Sequence, residues 1–232
     1  ITIYISLILV FVYSFFYYDI LYIDYFSFCT LFFLLGLMDD IKIDLAPKFR
    51  LLLMTCLLIL LIIFNDFYVE KTGLEFLNNL LAIDIFSLFF ICLCFLFIIN
   101  GSNLIDGFNG LLGIHSLLIL FILFFINFSN QSNGIIYMLF CAILLILIFL
   151  LFNFPKAQMF LGDGGAYLIG ALISVSIVKT SILNPQVSPF FFCILLFYLF
   201  FEVFFSFFRK LYLRKSPLKP DKNHLHMILY NF

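Results

Sequence analysis

Residues 80–128 read LLAIDIFSLFFICLCFLFIINGSNLIDGFNGLLGIHSLLILFILFFINF, two long apolar runs flanking a polar, glycine-rich insert at 100–110. A helix crosses the ~30 Å hydrocarbon core of a bilayer with about 20 mostly apolar residues, each adding ~1.5 Å. Both runs approach that length, so the stretch predicts two membrane-crossing helices joined at one surface. The insert places Asn103, Asp106 and Asn109 where the chain leaves the membrane.

Outward from this hairpin, further apolar stretches lie at 1–18, 20–38, 51–64, 135–152, 166–183 and 190–208, which with 80–99 and 111–128 make eight. The chain is 66% hydrophobic, with mean hydropathy +1.24. Only 11% of its residues are charged, against ~25% in soluble domains, which excludes a soluble protein. The expected fold class is therefore all-α, a polytopic transmembrane helical bundle of about eight spans. No internal repeat or long linker is visible, so residues 1–232 read as one membrane-embedded domain. The chain opens at Ile1 directly in apolar sequence, without a basic leader, and stops just past a polar tail; we expect it to be truncated at both ends. The six cysteines, Cys29, Cys56, Cys92, Cys94, Cys141 and Cys193, all sit in apolar runs and are expected to act as buried small hydrophobes.

Threading the spans as a zigzag puts the connections at 39–50, 100–110, 153–165 and 209–232 on one side. Ten of the twelve Lys and Arg residues fall there, all but Lys71 and Lys179. Short connections rich in Lys and Arg stay in the cytoplasm, so this face is expected to be cytoplasmic in the inner (plasma) membrane of a bacterium. The opposite connections carry Asn130, Asn184 and Pro185, which read as ordinary turns.

The residues capable of polar chemistry gather on the basic side in four segments. Asp39 and Asp40 follow the run LFFLLGLM; adjacent carboxylates repel, and a cation or basic partner relieves them. Asn103, Asp106 and Asn109 recur every third residue, a spacing that puts them on one helical face, among Gly101, Gly107, Gly110 and Gly113. Asp163 stands between Gly162 and Gly164, a carboxylate with open access at a helix start or an N-cap for the span from Ala166. Last, a basic run from Arg209 leads to His224 and His226, a set of donors suited to phosphate oxygens, though a basic run also anchors a protein at anionic lipid. Glu202 lies seven residues, about two helical turns, before Arg209 and should line a polar cavity or be paired.

The set LMDD, NLIDGFNGLLG, MFLGDGGAYLIG and SPLKPDKNHLH resembles the polyprenyl-phosphate N-acetylhexosamine-1-phosphate transferases, the WecA/MraY-like family, and its Ser216, Pro217 and His-Leu-His segment looks closer to the WecA-like branch. The resemblance runs from about Ile20 to His226. It implies transfer of a sugar-1-phosphate from a UDP-N-acetylhexosamine, with UDP-N-acetylglucosamine the expected donor, to polyprenyl (undecaprenyl) phosphate, with release of UMP and dependence on Mg²⁺. Carried over by motif, Asp39, Asp40, Asp106, His224 and His226 would be catalytic. Asp163 and Asp106 would hold the metal, and Asn103, Asn109, Lys48, Arg209 and Glu202 would contact substrate. Three positions depart from the family pattern: Asn109 stands for a common aspartate, Gln158 for a basic residue, and Met227 for a further histidine. The expected partners are the two substrates and membrane lipid, with no nucleic acid. Phe-rich helix faces suit lipid and a second copy equally, so a homodimer stays open. The alternative reading is a polytopic transporter or lipid-binding membrane protein without transferase activity, with carboxylates distributed along a route through the bilayer.

Overall fold

A computed structural model describes residues 1–18, 22–43, 45–69, 72–130, 133–216 and 224–230. Every regular element among them is helical: α1 (Thr2–Tyr18), α2 (Ile23–Asp40), α3 (Pro47–Phe64), α4 (Glu75–Leu81), α5 (Asp84–Ile105), α6 (Leu111–Ser129), α7 (Asn133–Asn153), α8 (Gly162–Leu183), α9 (Pro189–Leu195), α10 (Phe197–Tyr212) and α11 (Leu225–Tyr230). Each of the eight apolar stretches is helical over most of its described residues, 190–208 as two helices, α9 and α10. Helices are what a lipid environment demands, because no water is there to satisfy open backbone groups.

Among the described residues the span count is lower than eight. Five helices among the described residues are long and apolar enough to cross a membrane, α3, α5, α6, α7 and α8, or six if α9 and α10 form one broken span bent by 64°. Two stretches fall short for different reasons. The apolar part of α1, Thr2–Phe16, is too short at ~1.5 Å per residue. In α2, 18 residues include Asp24, Asp39 and Asp40, so both of its ends are charged.

The bundle is built around α8, whose residues 164–178 are all buried. Its most extensive packing is with α2, then with α5 and α6, while α10 lies against α5. Small residues permit the closest approaches, as expected where van der Waals packing holds helices together in lipid. A Cβ on Gly170 would come within 2.7 Å of Ile99 Cα, and one on Gly101 within 2.8 Å of the Leu199 carbonyl oxygen. Ser174, wholly buried in α8, donates its hydroxyl to the Gly170 carbonyl at 2.8 Å, so it leaves no unmet donor in the apolar interior. The cysteines divide: Cys29 and Cys92 are buried as expected, Cys94 and Cys141 partly so, whereas Cys56 and Cys193 are exposed, because they fall on helix faces that no other helix covers.

The end of the bundle away from the basic connections is more than a set of turns. Asp24 at the start of α2 forms an ion pair with Lys179 near the end of α8, and Lys179 also lies over the Tyr25 ring, 5.2 Å from its centroid. Asn127 donates to Thr180 at 2.9 Å, Asn184 to Asn127 at 3.0 Å, and Asn130 to Asn184 at 2.6 Å. These asparagines join α6 to α8, a role that a turn reading of Asn130 and Asn184 does not foresee because it depends on a partner more than 50 residues away.

Candidate active site

Four helix ends meet at the opposite pole. The C-terminus of α2, the N-terminus of α3, the C-terminus of α5 and the N-terminus of α8 bring Asp39, Asp40, Arg50, Asn103, Asp106 and Asp163 together. The approach of α2 to α8 rests on Gly36, where a Cβ would stand 2.5 Å from the Asp163 carbonyl oxygen.

The two adjacent aspartates have separate partners. Asp39 Oδ2 accepts from Arg50 Nη1 at 2.6 Å, a charge-assisted bond with both side chains partly buried. Asp40 turns the other way: its Oδ1 accepts the backbone N–H of Asp163 at 2.9 Å and its Oδ2 that of Gly164 at 3.0 Å. The relief expected for adjacent carboxylates therefore comes from a guanidinium on one side and a helix terminus on the other. Arg50 was counted in the sequence only toward membrane topology. Its partnership with Asp39 is local, 11 residues apart, but the break between α2 and α3 hides the geometry.

Asp163 belongs to the first turn of α8, whose N-cap position is Leu161. It is thus not the N-cap of a helix from Ala166; the helix begins four residues earlier, with the amides of Asp163 and Gly164 taken by Asp40. The Asp163 carboxylate is held from α5, where Asn103 Nδ2 donates to Oδ1 at 2.7 Å. Asp106, capping the end of α5, completes the group. Burial first, then the charges of Asp163 and Asp40, push its carboxyl up from 3.8 to about 7.

Asn109 does not share a helical face with Asn103 and Asp106. The helix stops at Ile105, and Gly110, at φ +80°, opens α6 in the left-handed region that favours glycine. Exposed Asn109 donates instead to the Pro155 carbonyl at 3.3 Å. The buried Asn153 side chain, which the motif reading passed over, fixes this turn by accepting from Gly110 N–H at 2.5 Å and donating to the Met159 carbonyl at 2.7 Å. Lys48, in the first turn of α3, and Lys156 and Gln158, beside α8, are exposed at the same pole.

The remaining site residues lie on α10 and the start of α11. Glu202 is wholly buried and accepts the Leu225 backbone N–H at 3.2 Å. Ser206, one turn on, meets His224 Nδ1 at 3.1 Å. Arg209 places its guanidinium carbon 5.9 Å from the Phe205 ring centroid. Together Glu202, Ser206 and Lys210 form a buried polar face on an otherwise Phe-rich helix. Helix α10 meets α5 at Gly101, two residues before Asn103, where the Leu199 carbonyl lies within 2.8 Å of a Cβ built on the glycine. The side chain of His226 lies outside the described residues.

Among the described residues no three His, Cys, Asp or Glu side chains form a ready metal cluster. The donor set nevertheless fits Mg²⁺, which is commonly held by one or two carboxylates, with waters and substrate phosphates completing its shell. Asp163 and Asp106 supply such a pair; the Asp106 carboxyl is raised mainly by burial, with the charges of Asp163 and Asp40 adding to it.

A polytopic helical membrane protein with carboxylates massed at one pole is the class that fold and site define. The family model of glycosyl transferase family 4 matches residues 22–181, and the chain belongs to that family. Among curated relatives, the undecaprenyl-phosphate alpha-N-acetylglucosaminyl 1-phosphate transferase of Thermotoga maritima is 29% identical over 204 residues, covering 88% of this chain and 60% of the relative. Proteins of the same name from Escherichia coli and Shigella flexneri are each 23% identical over 204 residues, covering 84% of this chain and 54% of their own length. The chain thus spans between about half and three-fifths of the relatives it matches.

Proposed function

We propose that the protein to which this chain belongs is a Mg²⁺-dependent transferase. It moves N-acetylglucosamine-1-phosphate from UDP-N-acetylglucosamine to undecaprenyl phosphate, releases UMP, and so starts a cell-envelope polysaccharide or other glycan. The observation that carries this reading is the Asn103–Asp163 bond beside Asp106 at the pole where α2, α3, α5 and α8 meet, in a chain whose relatives bear that activity in their names.

The reaction joins an oxygen of the lipid phosphate to the sugar-bearing phosphorus of the donor, and the bond between the two donor phosphorus groups breaks as UMP leaves. Both substrates are anions, so bringing them together requires neutralisation and in-line positioning. Bound Mg²⁺ would neutralise the diphosphate there and help hold it. On the chain's side, Asp163 and Asp106 present the acidic pair that would hold the ion, and Asn103 fixes the orientation of Asp163. Lys48 and Arg209 are assigned to phosphate oxygens, His224, which meets the Ser206 hydroxyl, to the substrate, and His226 to the same role by motif alone. Asn109 and Glu202 border the donor site. The second ionisation of a phosphate ester falls near pH ~6, so the lipid phosphate is already largely ionised at neutrality and a strong base is not required. The preponderance of Lys and Arg at the same pole supports a cytoplasmic active site in the bacterial inner membrane.

Product analysis tests the reading. The full-length protein in nanodiscs, supplied with undecaprenyl phosphate, Mg²⁺ and a panel of UDP-sugars, should yield undecaprenyl-diphospho-N-acetylglucosamine by mass spectrometry, with none formed in EDTA. A folded sample that makes no diphosphate-linked lipid from any UDP-N-acetylhexosamine contradicts it.

A further inference from the structure

We infer that Asp40 is a positioning residue, a helix cap supplied from a distant element that sets where the Asp163 carboxylate stands. The inference rests on the transferase reading above and refines the part played by one of its acidic residues.

The first turn of a helix leaves backbone N–H groups without intrahelical acceptors. A Ser, Thr, Asp or Asn at the N-cap usually meets the second and third of them. In α8 the N-cap position is Leu161, which has no side-chain acceptor. The amides that such a residue would take belong to Asp163 and Gly164, and Asp40, 123 residues earlier, accepts one with each carboxylate oxygen. Its negative charge also meets the positive end of the α8 dipole.

The surrounding glycines match this contact. A Cβ on Gly162, whose φ is +67°, would stand 2.7 Å from Asp40 Oδ2 and 2.8 Å from Oδ1, and one on Gly164 would lie 3.2 Å from Oδ2. With Gly36 admitting the Asp163 backbone on the other side, three glycines make room for α2 and its carboxylate. The space that Gly162 and Gly164 leave beside Asp163, read in the sequence as access for a ligand, is filled in part by Asp40. Since Asn103 holds Oδ1 of Asp163 while Asp40 holds its amide, the metal-facing carboxylate is located from two helices at once. Asp40 therefore acts through Asp163, neither taking a proton nor binding the ion itself.

The experiment compares Asp40→Asn with Asp40→Ala in the full-length protein in nanodiscs, reading melting temperature, UMP release, and the Mg²⁺ concentration giving half the maximal rate. Asn ranks with Asp as a cap. Asp40→Asn should therefore keep the wild-type melting temperature and a rate within about fivefold, because it replaces a capping acceptor with one of similar rank. Asp40→Ala should melt lower and need roughly ten- to a hundredfold more Mg²⁺, as when a ligand's supporting partner is lost. Gly162→Ala, which pushes the carboxylate away, should behave like Asp40→Ala. The inference is overturned if Asn and Ala both lose the ~10²- to 10⁴-fold expected of a missing acid or base with melting and Mg²⁺ dependence unchanged. Failure of the wild type to release UMP would defeat the transferase reading alone, because the melting comparison of Asn with Ala still decides whether Asp40 is a cap.

Discussion

At the residue scale, Asp163 and Asp106, the pair proposed to hold the metal, each invite a separate measurement. Asn103 holds one oxygen of Asp163 at 2.7 Å. Asn103→Ala should therefore raise the Mg²⁺ requirement by roughly 10- to 100-fold, the usual effect of losing a partner that orients a ligand, as read by Mg²⁺ titration of UMP release. Asp106 titrates near 7 in the folded protein against an ordinary 3.8. A raised acid binds its proton more tightly in the folded state, so its contribution to stability is fully present below about pH 4 and is lost as pH rises through about 7. In EDTA, melting temperature should fall across that window, and Asp106→Asn should flatten the fall; an unchanged slope in the variant would count against the assignment. The identities of these residues were legible in the sequence because carboxylates and asparagines at span ends are conspicuous in so apolar a chain. Their pairings were not, since Asp39 with Arg50, Asp40 with the α8 amides and Asn103 with Asp163 all join different elements.

Helices α2 and α8 form the element on which the site depends, and they are fastened at both ends. The Asp24–Lys179 ion pair and the Tyr25–Ser176 hydroxyl contact at 3.1 Å hold one end. Asp40 and the Gly36 approach hold the other. Gly36→Ala inserts a methyl where only 2.5 Å is available to the Asp163 carbonyl oxygen. It should cost about 1–3 kcal/mol, the range for overpacking, visible as a lower melting temperature together with a raised Mg²⁺ requirement. Lys179→Met should destabilise by leaving Asp24 without its cation, and the double variant with Asp24→Asn should recover most of the loss; additive losses would show that the pair is incidental. Apolar length located these helices, but three boundaries moved for physical reasons. α5 runs on to Ile105 through Gly101 and Asn103, α8 starts at Gly162 under the Asp40 cap, and the last stretch breaks at Leu196.

For the whole molecule, the helix ends divide into two unlike poles. One pole gathers the carboxylates, while the other is tied by an asparagine network and one ion pair. The expectation of eight spans exceeded the five or six found because counting apolar residues ignores the charged ends of α2 and the shortness of α1. Polar groups are massed at helix ends, with α8 buried at the centre. The central claim is that this pole performs Mg²⁺-dependent phosphoryl transfer with Asp163 as a metal-holding carboxylate. Its most direct test is UMP release by the full-length protein with undecaprenyl phosphate and UDP-N-acetylglucosamine, wild type against Asp163→Asn at matched folding. The account predicts release by the wild type that EDTA abolishes, and none above background from the variant. Equal release by both proteins, or none from a well-folded wild type, would contradict it.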